Sequence, residues 1–281
     1  GLGGLVAASS AQGQSTAAAS TASATPVIPP RFVRPSLDSD EGGLWGLMDR
    51  EEAKLRRSPF VLRDTGLSTY LDNIMARLAP EHAPDVRMHV LRTPLFNASM
   101  APNGMMQVWT GLLLRLENEA QLAAILGHEM GHYLERHTVE KLRDIKSRTA
   151  FAQFLGVFGA VGGLAQLGIL GSALAFSREQ ESRADRFGML LMQNAGYDGQ
   201  QAARVWDNLL GELKVTRGEE AGTYSPMAAT HPAPANRRDE LLKLAGDKPG
   251  NQGSAEFRNT MRAHRLTWLQ DEIKRGQYEE S

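Results

Sequence analysis

The 281-residue chain contains no cysteine. Within these residues that excludes a disulfide framework, a thiolate metal site and a lipid-modified cysteine anchor. It also lacks an excess of charge of either sign: 31 basic side chains face 32 acidic ones, for a net charge of −1. No basic footprint for nucleic acid follows from such a balance. Aromatic residues are sparse at 6%, yet hydrophobic residues reach 42%, enough for a real core. One long stretch, residues 149–177, has no charged side chain.

The chain opens GLGGLVAASSAQGQ, which looks like the tail of a signal peptide, with Ser9-Ser10-Ala11 as a small-x-small site. Residues 12–42 are rich in Ala, Ser, Thr, Pro and Gly and are expected to be a disordered linker, with order starting near Leu44-Trp45. WGLMDREEAKLRRS predicts a polar helix, and STYLDNIMARLAP an amphipathic one stopped by Pro80. Residues 86–94 predict a strand. Pro102-Asn103-Gly104 is turn chemistry, so a hairpin is expected around it, with MMQVWT as its second strand.

Asn118 is a good N-cap, with Gln121 three residues on and then apolar Leu122, Ile125 and Leu126, so a helix should start there. It carries AILGHEMGHYLERH. His128 and His132 are one turn apart on one helix face, where both rings can reach one metal ion. Glu129 stands beside His128 as the general base of an H-E-x-x-H arrangement. Gly131 leaves room beside the metal. His137, five residues after His132, falls off that face on a continuous helix and is read as structural.

Zinc in a catalytic site takes three protein ligands. The residue six after His132 is Thr138, so the extended motif with a third histidine is missing and the third ligand comes from elsewhere. A second helix is expected from Ser177 to a stop at Gly196. On it Glu181 and Asp185 share a face, Glu181 as a ligand and Asp185 as the partner of a ligand histidine. Glu179 is the weaker rival.

NASMAPNGMMQVWTGLL, NEAQLAAILGHEMGHYLERH, ESRAD and THPAPANR, in that order, resemble the HtpX and CAAX-prenyl-protease type of zinc metallopeptidase over residues 45 to 245. The resemblance is closest to its periplasmic branch, which includes the beta-barrel assembly-enhancing protease. It implies an α+β, mainly helical, zincin-like fold of gluzincin type with a small sheet. It implies one Zn2+ per chain, Glu181 as third ligand and Asp185 behind the ligands. It also implies that Met105, Met106, Gln107, Val108 and Trp109 form an edge strand beside the cleft, where an extended peptide can add by main-chain hydrogen bonds. His231, on a loop that Pro232 and Pro234 keep from becoming helix, is implied as a fourth ligand or transition-state helper, and Arg237 as the partner of a nearby carboxylate.

The expected domains are a leader and linker over 1–42, a metallopeptidase domain over 43–250 and a C-terminal helix over 251–281. Trp268 and Leu269 would anchor that helix, which could begin a helical repeat region. A membrane span over 149–177 would put His132 and Glu181 on opposite sides of a bilayer, so a Gly-rich apolar hairpin or loop beside the active site is expected instead, packed on the domain or dipping into a membrane surface. The expected activity is zinc-dependent endopeptidase action on unfolded or misassembled envelope proteins, in a bacterial periplasm or envelope. Expected partners are outer-membrane beta-barrel proteins and their assembly machinery, with no nucleic acid. The alternatives are a chaperone-like assembly factor whose site is closed by His231, and a processing protease for membrane peptides.

Overall fold

The computed structural model describes residues 25–144, 175–217, 227, 231 and 237–274. Residues 1–24 of the leader and linker expected over 1–42, and residues 149–174 of the apolar hairpin expected over 149–177, lie outside the described residues. Order begins well before Leu44. Ile28 and Phe32 already pack on the core, and the Phe32 ring meets Tyr133 edge-on at 5.1 Å. The linker therefore does not extend to residue 42.

Helix α1 (Asp40–Leu55) starts five residues earlier than its apolar pattern suggested, because Ser39 accepts a hydrogen bond from Gly42 N and caps it. Helix α2 (Thr65–Leu78) is capped by Asp64. Strands β1 (Arg87–Leu91), β2 (Ala98–Met100) and β3 (Met105–Trp109) form a sheet in the order β1-β3-β2. β2 and β3 are the expected antiparallel hairpin, with Ala98 opposite Val108 and Met100 opposite Met106. Its turn needs Gly104, whose φ is +88° and whose missing Cβ would lie 2.1 Å from Asp85 O.

β3 is not an edge strand. β1 pairs with it in parallel, Arg87 opposite Met105 and Leu91 opposite Trp109, so both of its sides are taken and all five residues are buried. Alternation along β3 sends Met106 and Val108 to the main core and Met105 and Trp109 to a second cluster with Leu44, Met48 and Leu55 of α1. Among the described residues the edge strands are β1, whose outer side meets residues 60–62 only near its C-terminal end, and β2.

The hairpin is tied to α1 through Glu52. Its carboxylate accepts from Arg87 Nε at 2.8 Å and Nη2 at 2.6 Å, and from Asn103 Nδ2 at 3.3 Å, with His89 Nε2 3.0 Å away. Burial alone would raise the Glu52 pKa, but hydrogen bonds from His89 and Arg87 outweigh it and hold the group at about 2. A folded-state value below the unfolded one stabilises the protein above the ordinary carboxylate range, and that contribution is lost as pH falls from about 4.5 towards 2. Because Arg87 is half exposed, the contribution is discounted to roughly 1–3 kcal/mol. Urea titrations at pH 7 and pH 3 should show Glu52→Gln less stable than wild type at pH 7, with the gap roughly halved at pH 3. An unchanged gap between the two would refute this.

Short helix α3 (Thr110–Arg115) leads into α4 (Glu119–Leu134), all of whose residues are buried. Around α4 stand α2, β2, α6 (Arg178–Asn194), α7 (Gln200–Arg217) and α9 (Ser254–Lys274), while α5 (His137–Asp144) continues from its end. α8 (Arg237–Ala245) lies against α6 and α7. α9 is not a separate unit. Phe257, Met261 and Trp268 enter the same core as α2 and α4, Leu269 packs at its rim, and Arg115 Nη1 donates to buried Glu272 at 2.6 Å. No helix among the described residues is long and apolar enough to cross a membrane.

Candidate metal centre

Two caps fix the two helices that build the site. Asn118 Oδ1 accepts from Gln121 N at 2.9 Å and starts α4. Ser177 and Gln180 form a reciprocal capping box that starts α6, which ends before Gly196 at φ +78°. The helices then cross at a seam of small residues. A Cβ on Gly131 would lie 2.6 Å from Ala184 O, and one on Gly188 would lie 2.9 Å from His128 N. Gly131 thus does not make space for the metal, as its place in the motif suggested. It makes space for the α6 backbone, and this close approach carries Glu181 and Asp185 to the histidines.

His128, His132, Glu181 and His231 each offer one ligand atom, and these atoms lie within 4.8 Å of one another. His132 Nε2 is 3.1 Å from His128 Nε2. His231 Nδ1 is 3.2 Å from His128 Nε2 and 3.0 Å from Glu181 Oε1. Glu181 Oε1 is 3.4 Å from His132 Nε2. Donors held about 2.0–2.1 Å from a tetrahedral zinc stand about 3.3 Å apart. The four edges match that figure, and all four residues are buried. Three ring nitrogens and a carboxylate facing one point in a dry interior are poor company without a cation. The donor set therefore fits a divalent metal, and two or three imidazoles with one carboxylate suit zinc.

The surroundings orient these donors. Asp185 Oδ1 lies 2.9 Å from His128 Nδ1 and takes a hydrogen bond of 2.7 Å from Arg237 Nη2. Arg237 Nη1 donates to Glu181 Oε2 at 3.1 Å. Its guanidinium lies over Trp206, 3.9 Å from the ring centroid. The two acids that share a face of α6 and the arginine of THPAPANR, 56 residues after Glu181 and 52 after Asp185, are thus brought together, whereas Glu179 takes no place in the cluster.

Burial pulls the His128 pKa down, but the hydrogen bonds to Asp185 and Glu181 prevail and push it up to about 9. Burial holds His132 well below the usual imidazole range. Burial raises Glu181 and Asp185 as well, yet His231 and its neighbours keep Glu181 well below the carboxylate range, and Arg237 with His128 keeps Asp185 low. Burial pushes Glu129 up. Among the described residues its Oε1 has no hydrogen-bond partner, and it lies 3.4 Å from His231 Nε2. A buried carboxylate with one free oxygen, at the edge of a donor cluster, is placed to exchange a proton with a molecule bound there.

Three neighbours had no functional sign in the sequence. α4 ends at Leu134, and Arg136 adopts φ +58°, so α5 starts in a new direction. His137 swings back and sets its Nδ1 2.9 Å from His132 Nδ1. The Phe176 ring stacks on His132 at 4.0 Å. Trp206 stands edge-on to His128 at 6.5 Å. A lone aromatic on an apolar helix face looks like any core residue, and no residue type marks the turn at Arg136.

Residues 62–245 match peptidase family M48. The chain is similar to mitochondrial metalloendopeptidase OMA1 of Arabidopsis thaliana, 33% identical over 172 residues, which covers 60% of this chain and 34% of that protein. It is also similar to the putative beta-barrel assembly-enhancing protease of Vibrio cholerae, 27% identical over 211 residues, covering 69% and 42% of the two chains. With the beta-barrel assembly-enhancing protease of Escherichia coli it shares 25% identity over 201 residues, 66% of this chain and 40% of that one. The chain spans between a third and a half of the length of these relatives.

Proposed function

The chain belongs to peptidase family M48, and from that premise we propose that it is a zinc-dependent endopeptidase acting on extended segments of unfolded or misassembled proteins. The observation that carries this reading is the convergence of four buried donors at edges of 3.0 to 3.4 Å, with Glu129 beside them. His128, His132 and Glu181 would hold the zinc. Zinc bound there supplies Lewis-acid chemistry, polarising a peptide carbonyl and acidifying a water. Glu129 takes the proton of the attacking water on its free Oε1 and passes it to the leaving amine. Asp185 holds His128 by its Nδ1, and Arg237 holds both Asp185 and Glu181. The strand that offers main-chain groups to an extended substrate is β2, which packs on α4 and has an unpaired side among the described residues.

His231 supports a second reading of the same site. Its Nδ1 stands where a fourth donor would, 3.0 Å from Glu181 Oε1. A zinc held by four side chains has no position left for substrate. The enzyme would then be latent until the segment around His231 moves, and a chaperone-like role in assembly would coexist with silent hydrolysis. The names of the relatives support an envelope setting, with outer-membrane beta-barrel proteins and their assembly machinery as partners.

The test is cleavage of unfolded casein by the purified chain before and after metal removal. A chelator should abolish cleavage and one equivalent of zinc should restore it. His231→Ala should cut faster than wild type at equal zinc content if the site is latent. Cleavage that survives chelation sinks the proposal, as does its absence from both proteins when each holds one zinc.

A further inference from the structure

His132 and His128 offer the same nitrogen to the site but are held from behind in different ways. The usual partner of a metal-bound histidine is a carboxylate, a main-chain carbonyl or a water that accepts its other N–H. His128 has such a partner in Asp185. His132 has a second imidazole. His137 is fully buried, and its Nδ1 lies 2.9 Å from His132 Nδ1. Two bare nitrogens at that distance repel, so one of them carries the hydrogen.

The rest of the neighbourhood allows two arrangements. In the first, His132 carries its hydrogen on Nδ1 and donates to His137. His137 then carries its own on Nε2, facing Glu135 Oε2 at 3.9 Å. His132 Nε2 is left with a free lone pair. In the second, Arg183 Nε donates to His137 Nε2 at 3.2 Å, and His137 donates through Nδ1 to His132. The hydrogen of His132 then sits on Nε2, only 3.1 Å from His128 Nε2, and no metal can bind that nitrogen. Arg183 does not depend on His137, because Glu135 and Glu140 each hold it at 3.2 Å. In the first arrangement Arg183 turns its single Nε hydrogen from His137 to Glu135 Oε2 and keeps Glu140 through Nη2, which leaves His137 Nε2 free to carry a hydrogen.

We propose that His137 is a positioning residue for the metal centre: it accepts the Nδ1 hydrogen of His132 and so fixes the one tautomer in which His132 can ligate. Unlike Asp185, a neutral imidazole can face its partner as donor or acceptor, so loading the metal shifts two hydrogens along His132 and His137. His132 is therefore the ligand whose readiness depends on its neighbours, with Glu135 and Arg183 competing over the far nitrogen of His137. The inference rests on the reading of His132 as a ligand.

Two substitutions and one spectrum test it. His137→Asn keeps an acceptor where Nδ1 stands, and His137→Leu removes it. Zinc affinity, read by competition with a chromogenic chelator, should fall about 10–100-fold in the Leu variant and recover to within about threefold of wild type in the Asn variant. The metal-free unfolding midpoints of both should stay near wild type. Long-range proton–nitrogen spectra of zinc-loaded wild type should show the hydrogen of His132 on Nδ1 and that of His137 on Nε2. This spectrum carries the test alone if the Leu variant does not fold. A His137 hydrogen on Nδ1 in the loaded protein overturns the proposal. So do equal zinc affinities for Leu variant and wild type, or an Asn variant as weak as the Leu variant. If instead His132→Ala binds zinc as tightly as wild type, the ligand assignment itself has failed, a different result.

Discussion

Glu129→Gln is expected to lower kcat on an unfolded substrate by about 10²- to 10⁴-fold, the usual share of a positioned general base. The substitution is close to a clean deletion of proton transfer. Glutamine has the same shape, and it replaces a carboxylate that burial already drives towards its neutral form. Among the described residues Glu129 Oε1 makes no hydrogen bond that an amide would break. Nor is Glu129 among the four donors that face the metal point. The variant should therefore bind one zinc with near wild-type affinity and unfold at the same denaturant concentration or slightly above it. Zinc content, an unfolding curve and kcat measured together decide the matter. A variant that loses its zinc has been damaged elsewhere, whereas one that holds zinc and still cuts at wild-type rate shows that another group takes the proton.

What could be seen in the sequence was local. One-turn spacing placed His128 with His132 and Glu181 with Asp185, since a helix repeats regardless of what surrounds it. Ser177, Gly196 and the turn at 102–104 marked ends for similarly local reasons. What was hidden depends on pairs far apart in the chain. The family resemblance implied an edge strand at β3, but β1 closes its other side in parallel. Gly131 looks like clearance for a ligand, until Ala184 of another helix arrives beside it. His137 stands off the ligand face only while the helix is assumed to run on, and the left-handed Arg136 stops it. Phe32 sits in a segment whose composition suggests disorder, yet it packs on Tyr133 beside the metal ligands.

Replacing Arg237 by methionine should produce the largest loss of stability of any single change at the site, roughly 3–5 kcal/mol in the metal-free protein, because it removes one side of a buried ion network. The guanidinium is 1% exposed and bridges Glu181 at 3.1 Å and Asp185 at 2.7 Å. Methionine can fill much of the space over Trp206 but can neutralise neither acid. Both carboxylates then remain in a low-dielectric interior, where only the histidines face them. A bound zinc supplies positive charge next to Glu181, so the loss should be smaller in the loaded protein than in the free one. The sign of that difference separates an electrostatic role from simple packing, which would cost both forms alike. Arg237→Lys should recover only part of the loss, since an ammonium is a point charge and cannot span two carboxylates as the planar fork does. Urea unfolding of each variant with and without zinc measures all of these quantities. Equal losses in the two forms, or a lysine variant as stable as wild type, would show that Arg237 holds the site by its bulk and not by its two charged contacts.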